Sequence, residues 1–295
     1  RGAVKYRIEH RTDYRYSRSV AIGYNKACLT PLTTPFQKVH ASLLRIEPRP
    51  EVFDPYVDVF GNTVLHFAIQ RPHAEVAATA VSEVEVFPRA NPDPAATPTC
   101  ARTRERVRQH ADGETLDACE FVFESPYIQI GRSVAEYAAP SFADETPVLA
   151  AALDLMRRMR EDFEFAPHAT TLTTSLVELL ENRKGVCQDF SHLMIACLRS
   201  AGLAARYVSG YLRTLPPPGK EKLKGIDVSH AWIAVFVPGS GWIELDPTND
   251  LICATDHVSV AVGRDYDDVS TLRGVVVGGG RQTLDVSVDV AVIEP

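Results

Sequence analysis

Three residues of this chain have the types and spacing to perform chemistry together: Cys187, His230 and Asp246. Cys187 stands in Arg183-Lys184-Gly185-Val186-Cys187-Gln188-Asp189. Gly185 lets the chain turn sharply. Beyond it Phe190, Leu193, Met194, Cys197, Leu198 and Ala201 recur as one stripe, which predicts a buried helix stopped by Gly202. A thiol at the head of such a helix meets the positive end of its dipole and N–H groups that lack helical acceptors. Both favour an anionic sulfur, and the same N–H groups can hold the oxyanion of a tetrahedral intermediate. Taken alone, Cys187 reads first as a buried structural thiol; its partners change that reading.

His230 lies in Asp227-Val-Ser-His230-Ala-Trp232-Ile, near the start of a predicted strand. Asp246 lies in Gly241-Trp242-Ile-Glu-Leu245-Asp246-Pro247-Thr248-Asn249, near the end of the next, and Pro238-Gly-Ser-Gly241 turns between them. Strand side chains alternate between faces. The two residues therefore share a face only if paired positions sum to an even number, such as 236 opposite 242. Asp246 then stands opposite Trp232 and diagonal to His230, within side-chain reach. Asp246 would orient the imidazole, His230 would take the thiol proton and return one to a leaving amine, and the sulfur would attack a carbonyl to give a thioester. Individually, His230 reads as a strand-end histidine and Asp246 as a turn cap. All three on a helix–strand–strand frame are much harder to obtain by chance.

The runs Gly-Val-Cys187-Gln-Asp-Phe-Ser-His-Leu, Ser-His230-Ala-Trp and Gly-Trp-Ile-Glu-Leu-Asp246-Pro-Thr-Asn resemble the transglutaminase-like superfamily, and more closely its bacterial branch described as proposed cysteine proteases. The β-rich N-terminal region and Gly263-Arg264-Asp265-Tyr266-Asp267-Asp268-Val are similar to that branch as well, so the likeness covers nearly the whole chain. It implies an α+β fold: a papain/transglutaminase-like core, with the cysteine helix packed on an antiparallel sheet bearing His and Asp, and an N-terminal antiparallel β domain. It implies amide-bond chemistry on a peptide or protein substrate, with glutamine side chains among the candidates, without a cofactor or a metal. EF-hand-like spacing is absent, which argues against calcium dependence. The leading expectation is a thiol-dependent peptidase or amidase. The alternatives are a transglutaminase-type acyltransferase and a non-catalytic binding scaffold.

Other candidates are weaker. Asn182 could supply a second oxyanion donor, Gln188 and Asp189 either line the cleft or cap the helix, and Trp232 reads as core packing before substrate platform. His192 follows Cys187 by five positions, about 140° around a helix, which predicts a supporting or surface role. Asp265, Asp267 and Asp268 read as a solvated loop. His257, Arg264 and Tyr266 border the cleft only by family likeness. Gly278-Gly-Gly280 is followed by a strand pattern, so a nucleotide loop is not expected.

These residues need elements to hold them. Alternation at Tyr6-Arg-Ile8-Glu-His10, a Gly61-Asn62 turn between strands, and Val81, Val84 and Val86 predict a β-sandwich-like region over residues 1–90. A proline-rich linker and a helical segment follow over 91–140, with Arg102–His110 as a solvated helix face. The catalytic core is expected over 141–253. Within it Asp144-Glu-Thr146-Pro147 opens one helix and the capping box Ser175-Leu-Val-Glu178 another. The Pro- and Lys-rich loop Thr214–Gly225 is expected to flank the cleft. Residues 254–295 form a C-terminal segment whose alternating run from Thr283 to Ile293 returns as a strand to the N-terminal domain.

The bulk numbers set outer bounds. The 295 residues are 45% hydrophobic and 23% charged, which is globular composition. A net charge of −7 offers no basic excess for nucleic acid. Six irregularly spaced cysteines form no CxxC pair, which argues against a disulfide framework and paired zinc ligands. No apolar run reaches the ~20 residues of a membrane span, and no signal-type segment opens the chain as given. A cytoplasmic protein is expected, with a leader ahead of residue 1 left open.

Overall fold

A computed structural model describes residues 2–110, 112–214 and 229–293. In chain order the strands β1 (Val4–Ala27), β2 (Gln37–Glu47), β3 (Val52–Val57), β4 (Thr63–Ile69) and β5 (His73–Val86) come first. The helices α1 (Cys100–Gln109), α2 (Gly113–Cys119), α3 (Arg132–Ala138) and α4 (Val148–Asp162) follow, then β6 (Glu164–Phe165), α5 (Leu176–Asn182), β7 (Lys184–Gly185) and α6 (Cys187–Ser200). The chain continues through β8 (Ala205–Leu212), β9 (Ser229–Val237), β10 (Gly241–Asp246), β11 (Leu251–Ile252) and β12 (His257–Gly263). It ends with α7 (Tyr266–Val269), β13 (Leu272–Gly278) and β14 (Gln282–Val292).

The first sheet has seven strands and is organised by β1. The first half of β1 lies between β5 and β14, and its second half between β4 and β13, all antiparallel. Tyr6, Ile8 and His10 point inward and the residues between them outward, so the period-two pattern decides the face. Gly278, Gly279 and Gly280 have φ of 99°, 86° and 66° and make the turn from β13 to β14, against the backbone of Ser19.

The second sheet has the order β11-β10-β9-β8-β12. Helix α6 packs on its β8 and β9 strands and is flanked by α3, α4 and α5. Its apolar stripe merges with Tyr207, Ile233 and Val235 of the sheet in one core. Fully burying a Leu or Ile is worth about 1.5–3 kcal/mol relative to exposure, and Leu193, Ile195, Leu198 and Ile233 are all fully buried. That packing holds the first residue of α6 in place. Gly202, φ 71°, ends the helix as expected. The Ser175–Glu178 capping box is present at α5. The opening of α4 differs: Pro147 is its cap position and makes no side-chain cap bond, while Asp144 pairs with Arg104 instead.

The outer edge of β12 is met by two side-chain amides from the first sheet's side. Gln37 accepts from Ser259 N (2.9 Å) and donates to Ser259 O (2.7 Å); Asn62 does the same at Val262, at 2.8 and 2.7 Å. A bulge between Ser259 and Ala261 sets Ser259 opposite Gly210 and Val262 opposite Val208, two rungs apart, so both point to the same edge. Both amide residues are fully buried. No described helix is long and apolar enough to cross a membrane.

Candidate active site

The hairpin of β9 and β10 pairs Gly241 with Val237 and Trp242 with Phe236, the even-sum register required for His230 and Asp246 to share a face. Gly239 (φ 83°) and Gly241 (φ 75°) supply the left-handed backbone of the turn. His230 Nε2 lies 2.8 Å from Asp246 Oδ2. An ionised carboxylate only accepts, so the ring carries its hydrogen on Nε2 when bonded there. Cys187, the half-buried first residue of α6, is close enough to the ring for its side chain to favour the charged imidazole.

Burial opposes charge on both members of the His–Asp pair, yet their mutual attraction wins. Desolvation alone would lower His230. The hydrogen bonds to Asp246 and Cys187, and the charges behind them, raise it to about 10, so the imidazolium persists at neutral pH. Burial likewise works against the Asp246 carboxylate, but bonds from His230, His257 and Asn249 hold it well below the usual carboxylate range. Asp246 is fully buried and divides its oxygens between two tasks. Oδ1 caps the following turn, accepting from Thr248 N (3.0 Å) and Asn249 N (3.2 Å). Oδ2 accepts from His230, from His257 Nε2 (3.2 Å) and from Asn249 Nδ2 (2.7 Å).

The weaker candidates separate. Asp189 is buried; its Oδ2 accepts from Val186 N (2.8 Å) and from the Thr170 hydroxyl (2.6 Å), so it caps α6. Burial raises its carboxyl despite those bonds. Gln188 is half-buried beside the sulfur's residue. Asn182 is exposed at the end of α5, lining a groove with Arg160 to Phe165, a wall that does not include Cys187. Trp232 is fully buried; its Nε1 donates to Glu244 Oε2 (2.9 Å) and its ring packs edge-on against His257.

Among neighbouring residues one expectation needs correction, the solvated acidic loop, and two are narrowed. His192 is not on the surface. It is 4% exposed, stacks on Tyr127 and accepts from Tyr266 N (3.2 Å), and burial lowers it to about 3. The acidic run is not a solvated loop either. Asp265 is fully buried, bonding Tyr127 N (2.8 Å) and capping α7 through Asp267 N, and Asp268 forks onto Arg264. For His192 and Asp265 the deciding partner is far away in sequence, whereas Asp268 pairs locally. His257 does more than border the cleft, since it bonds Asp246 directly. The loop expected to flank the cleft lies outside the described residues from residue 215 onward.

Three residues at the site carried no assigned role in the sequence: Asn249, Glu244 and, as a partner of Asp246, His257. Asn249 had a signal, because Asx-type turns commonly follow an aspartate whose oxygen accepts from residues two or three ahead. Glu244 ties Trp232 to Arg89, whose Nη1 is 2.9 Å away, and is buried with it.

Comparison with known proteins agrees with this architecture. Residues 6–85 match the bacterial transglutaminase-like N-terminal region, and residues 135–247 match the transglutaminase-like superfamily. An uncharacterized protein of Mycobacterium tuberculosis is 40% identical over 99% of this chain and 94% of its own length. A protein-glutamine gamma-glutamyltransferase of Pseudomonas aeruginosa is 30% identical over 118 residues, which is 40% of this chain and 18% of that protein. The crystal structure of a proposed cysteine protease from Cytophaga hutchinsonii superposes with a TM-score of 0.78 at 21% identity, covering 100% of this chain and 92% of that one, a likeness of fold. The chain belongs to the transglutaminase-like superfamily.

Proposed function

We propose that this protein is a thiol-dependent hydrolase, a peptidase or amidase that cleaves an amide bond through a thioester on Cys187. One observation carries the reading: a single imidazole, His230, is bonded to a buried carboxylate and has the cysteine at the head of a buried helix as its neighbour. In this scheme the His230 imidazolium is the counter-ion of a Cys187 thiolate. The sulfur attacks the carbonyl carbon, and the oxyanion is received by first-turn N–H groups of α6, which have no helical acceptor. His230 then gives its proton to the leaving amine, the C–N bond breaks, and the thioester remains. Water, deprotonated by His230, attacks the thioester; the acid leaves and the proton returns to the Cys187–His230 pair.

A second reading keeps every step to the thioester and replaces water by an amine. The Pseudomonas aeruginosa gamma-glutamyltransferase, similar over 118 residues, favours it. The test is to incubate the protein, and a Cys187→Ala variant, with glutamine-containing peptides and a labelled primary amine. Cys187-dependent release of free acid or ammonia without label supports hydrolysis, and label in the peptide supports transfer. Neither product, together with a Cys187 that alkylates no faster than the other thiols, would leave only a binding scaffold.

A further inference from the structure

The carboxylate that holds His230 also holds a second imidazole. His257 Nε2 is 3.2 Å from Asp246 Oδ2, the oxygen that His230 Nε2 meets at 2.8 Å. Asn249 Nδ2 reaches the same oxygen at 2.7 Å. Since that oxygen accepts from all three, His257, like His230, presents an Nε2–H. The His257 ring is 2% exposed and its Nδ1 is buried with no partner among the described residues. Its plane is fixed from the side by the Trp232 ring, 5.2 Å away and nearly perpendicular. Trp232 is in turn held by Glu244. Such an arrangement is costly for a mere core residue, because a buried polar atom without a partner forfeits about 1–3 kcal/mol.

We propose that His257 is a positioning residue for the chemistry of His230: by donating to the shared Asp246 oxygen it fixes the carboxylate's orientation and moderates its grip on the His230 proton. This rests on the proposed Cys187 reaction. Two demands meet at His230. It must hold a proton while the sulfur is anionic, and it must release that proton to the leaving amine. An Asp246 oxygen serving His230 alone would hold the proton too firmly for the second demand. Sharing the oxygen with His257 and Asn249 spreads its charge over three donors. The groups facing the His257 ring are Asp246 on β10, His230 and Trp232 on β9, and Leu212 paired with it on β8; Asp256 precedes it and bonds Arg213.

The test compares His257→Leu, which removes the donor, with His257→Gln, whose amide N–H can replace Nε2–H. His230 titration is followed by NMR in each full-length protein, alongside the pH dependence of Cys187 alkylation by iodoacetamide. The expectation for His257→Leu is a folded protein whose His230 titrates at higher pH by half a unit or more, with His257→Gln restoring the parental midpoint. A packing role alone would lower stability and leave the titration where it was. An unchanged or lowered His230 midpoint in His257→Leu overturns the inference. If that variant fails to fold, the His257→Gln protein decides by itself: a parental midpoint supports donation, and a midpoint raised as far as half a unit overturns it. Slow, unselective Cys187 alkylation in the parent protein would instead refute the Cys187 reaction, so the two failures are distinguishable.

Discussion

Replacing Asp246 by asparagine changes one atom and should disturb both folding and the site. Five donors converge on the buried carboxylate: His230, His257 and Asn249 on Oδ2, and the amides of Thr248 and Asn249 on Oδ1. If the new NH2 group takes the Oδ2 position, three donors face a donor. If the amide flips, the two backbone N–H groups do. At least two donors are therefore orphaned in either pose, the buried rings of His230 and His257 in the first and the part-buried amides of Thr248 and Asn249 in the second, at up to about 1–3 kcal/mol each. Two such donors total about 2–6 kcal/mol, which spans the about 3–5 kcal/mol usually lost on removing one partner from a buried ion pair and is a large share of a typical stability of about 5–15 kcal/mol. The pH dependence follows with a definite sign. His230 is raised from 6.5 to about 10, so the folded state favours its protonated form. That contribution is fully present below pH 6.5 and is lost as pH rises through about 10. Urea unfolding at several pH values should show the parent losing stability across this window and Asp246→Asn showing a much flatter slope. His230 in the variant should titrate well below the parental value. A variant within ~0.5 kcal/mol of the parent, the spread of an inconsequential surface change, with an unmoved His230 titration, would refute the account of this pair.

Further outcomes are expected elsewhere. Burial raises the Cys28 and Cys197 thiols to about 12, Cys100 to about 11 and Cys253 well above the ordinary thiol range, so iodoacetamide at pH 7.5 should label Cys187 far faster than these four, as read by peptide mass spectrometry. Glu244→Gln should cost roughly 3 kcal/mol or more in denaturant unfolding. It leaves Arg89 and the half-buried Arg206 beside an uncharged amide, and a loss under 1 kcal/mol would count against the ion pair. Gly210→Ala should destabilise by roughly 1–3 kcal/mol, because a Cβ there would sit 2.2 Å from the Val258 carbonyl oxygen and 2.4 Å from the Trp232 ring. Since Trp232 abuts His230 and His257, Cys187 alkylation should slow as well.

What could be read from sequence was what short-range rules decide. The stripe from Phe190 to Ala201 gave α6 its span and orientation, because a helix buries one face whatever lies opposite it. Parity named the register that His230 and Asp246 would need to share a face, and the hairpin has it, with Phe236 opposite Trp242. What could not be read depended on distant partners. Asp265 looks like part of a solvated run until the backbone of Tyr127 arrives to bond it. His192, nearly opposite the stripe, is covered by Tyr127 and Tyr266 from other segments. His257 reaches Asp246 only because β12 pairs with β8 across the sheet, which no local pattern encodes. Asn182 precedes Cys187 closely in sequence, yet the intervening β7 strand and Arg183, φ 56°, carry it away.

The paired amides of Gln37 and Asn62 bear on how the molecule can be divided. Each completes the backbone bonding of one β12 residue, as a neighbouring strand would. A fragment lacking the segment with Gln37 and Asn62 would present that strand with raw donors and acceptors, an invitation to stick to another chain. The N-terminal region thus behaves as a built-in selvedge for the part that carries Cys187.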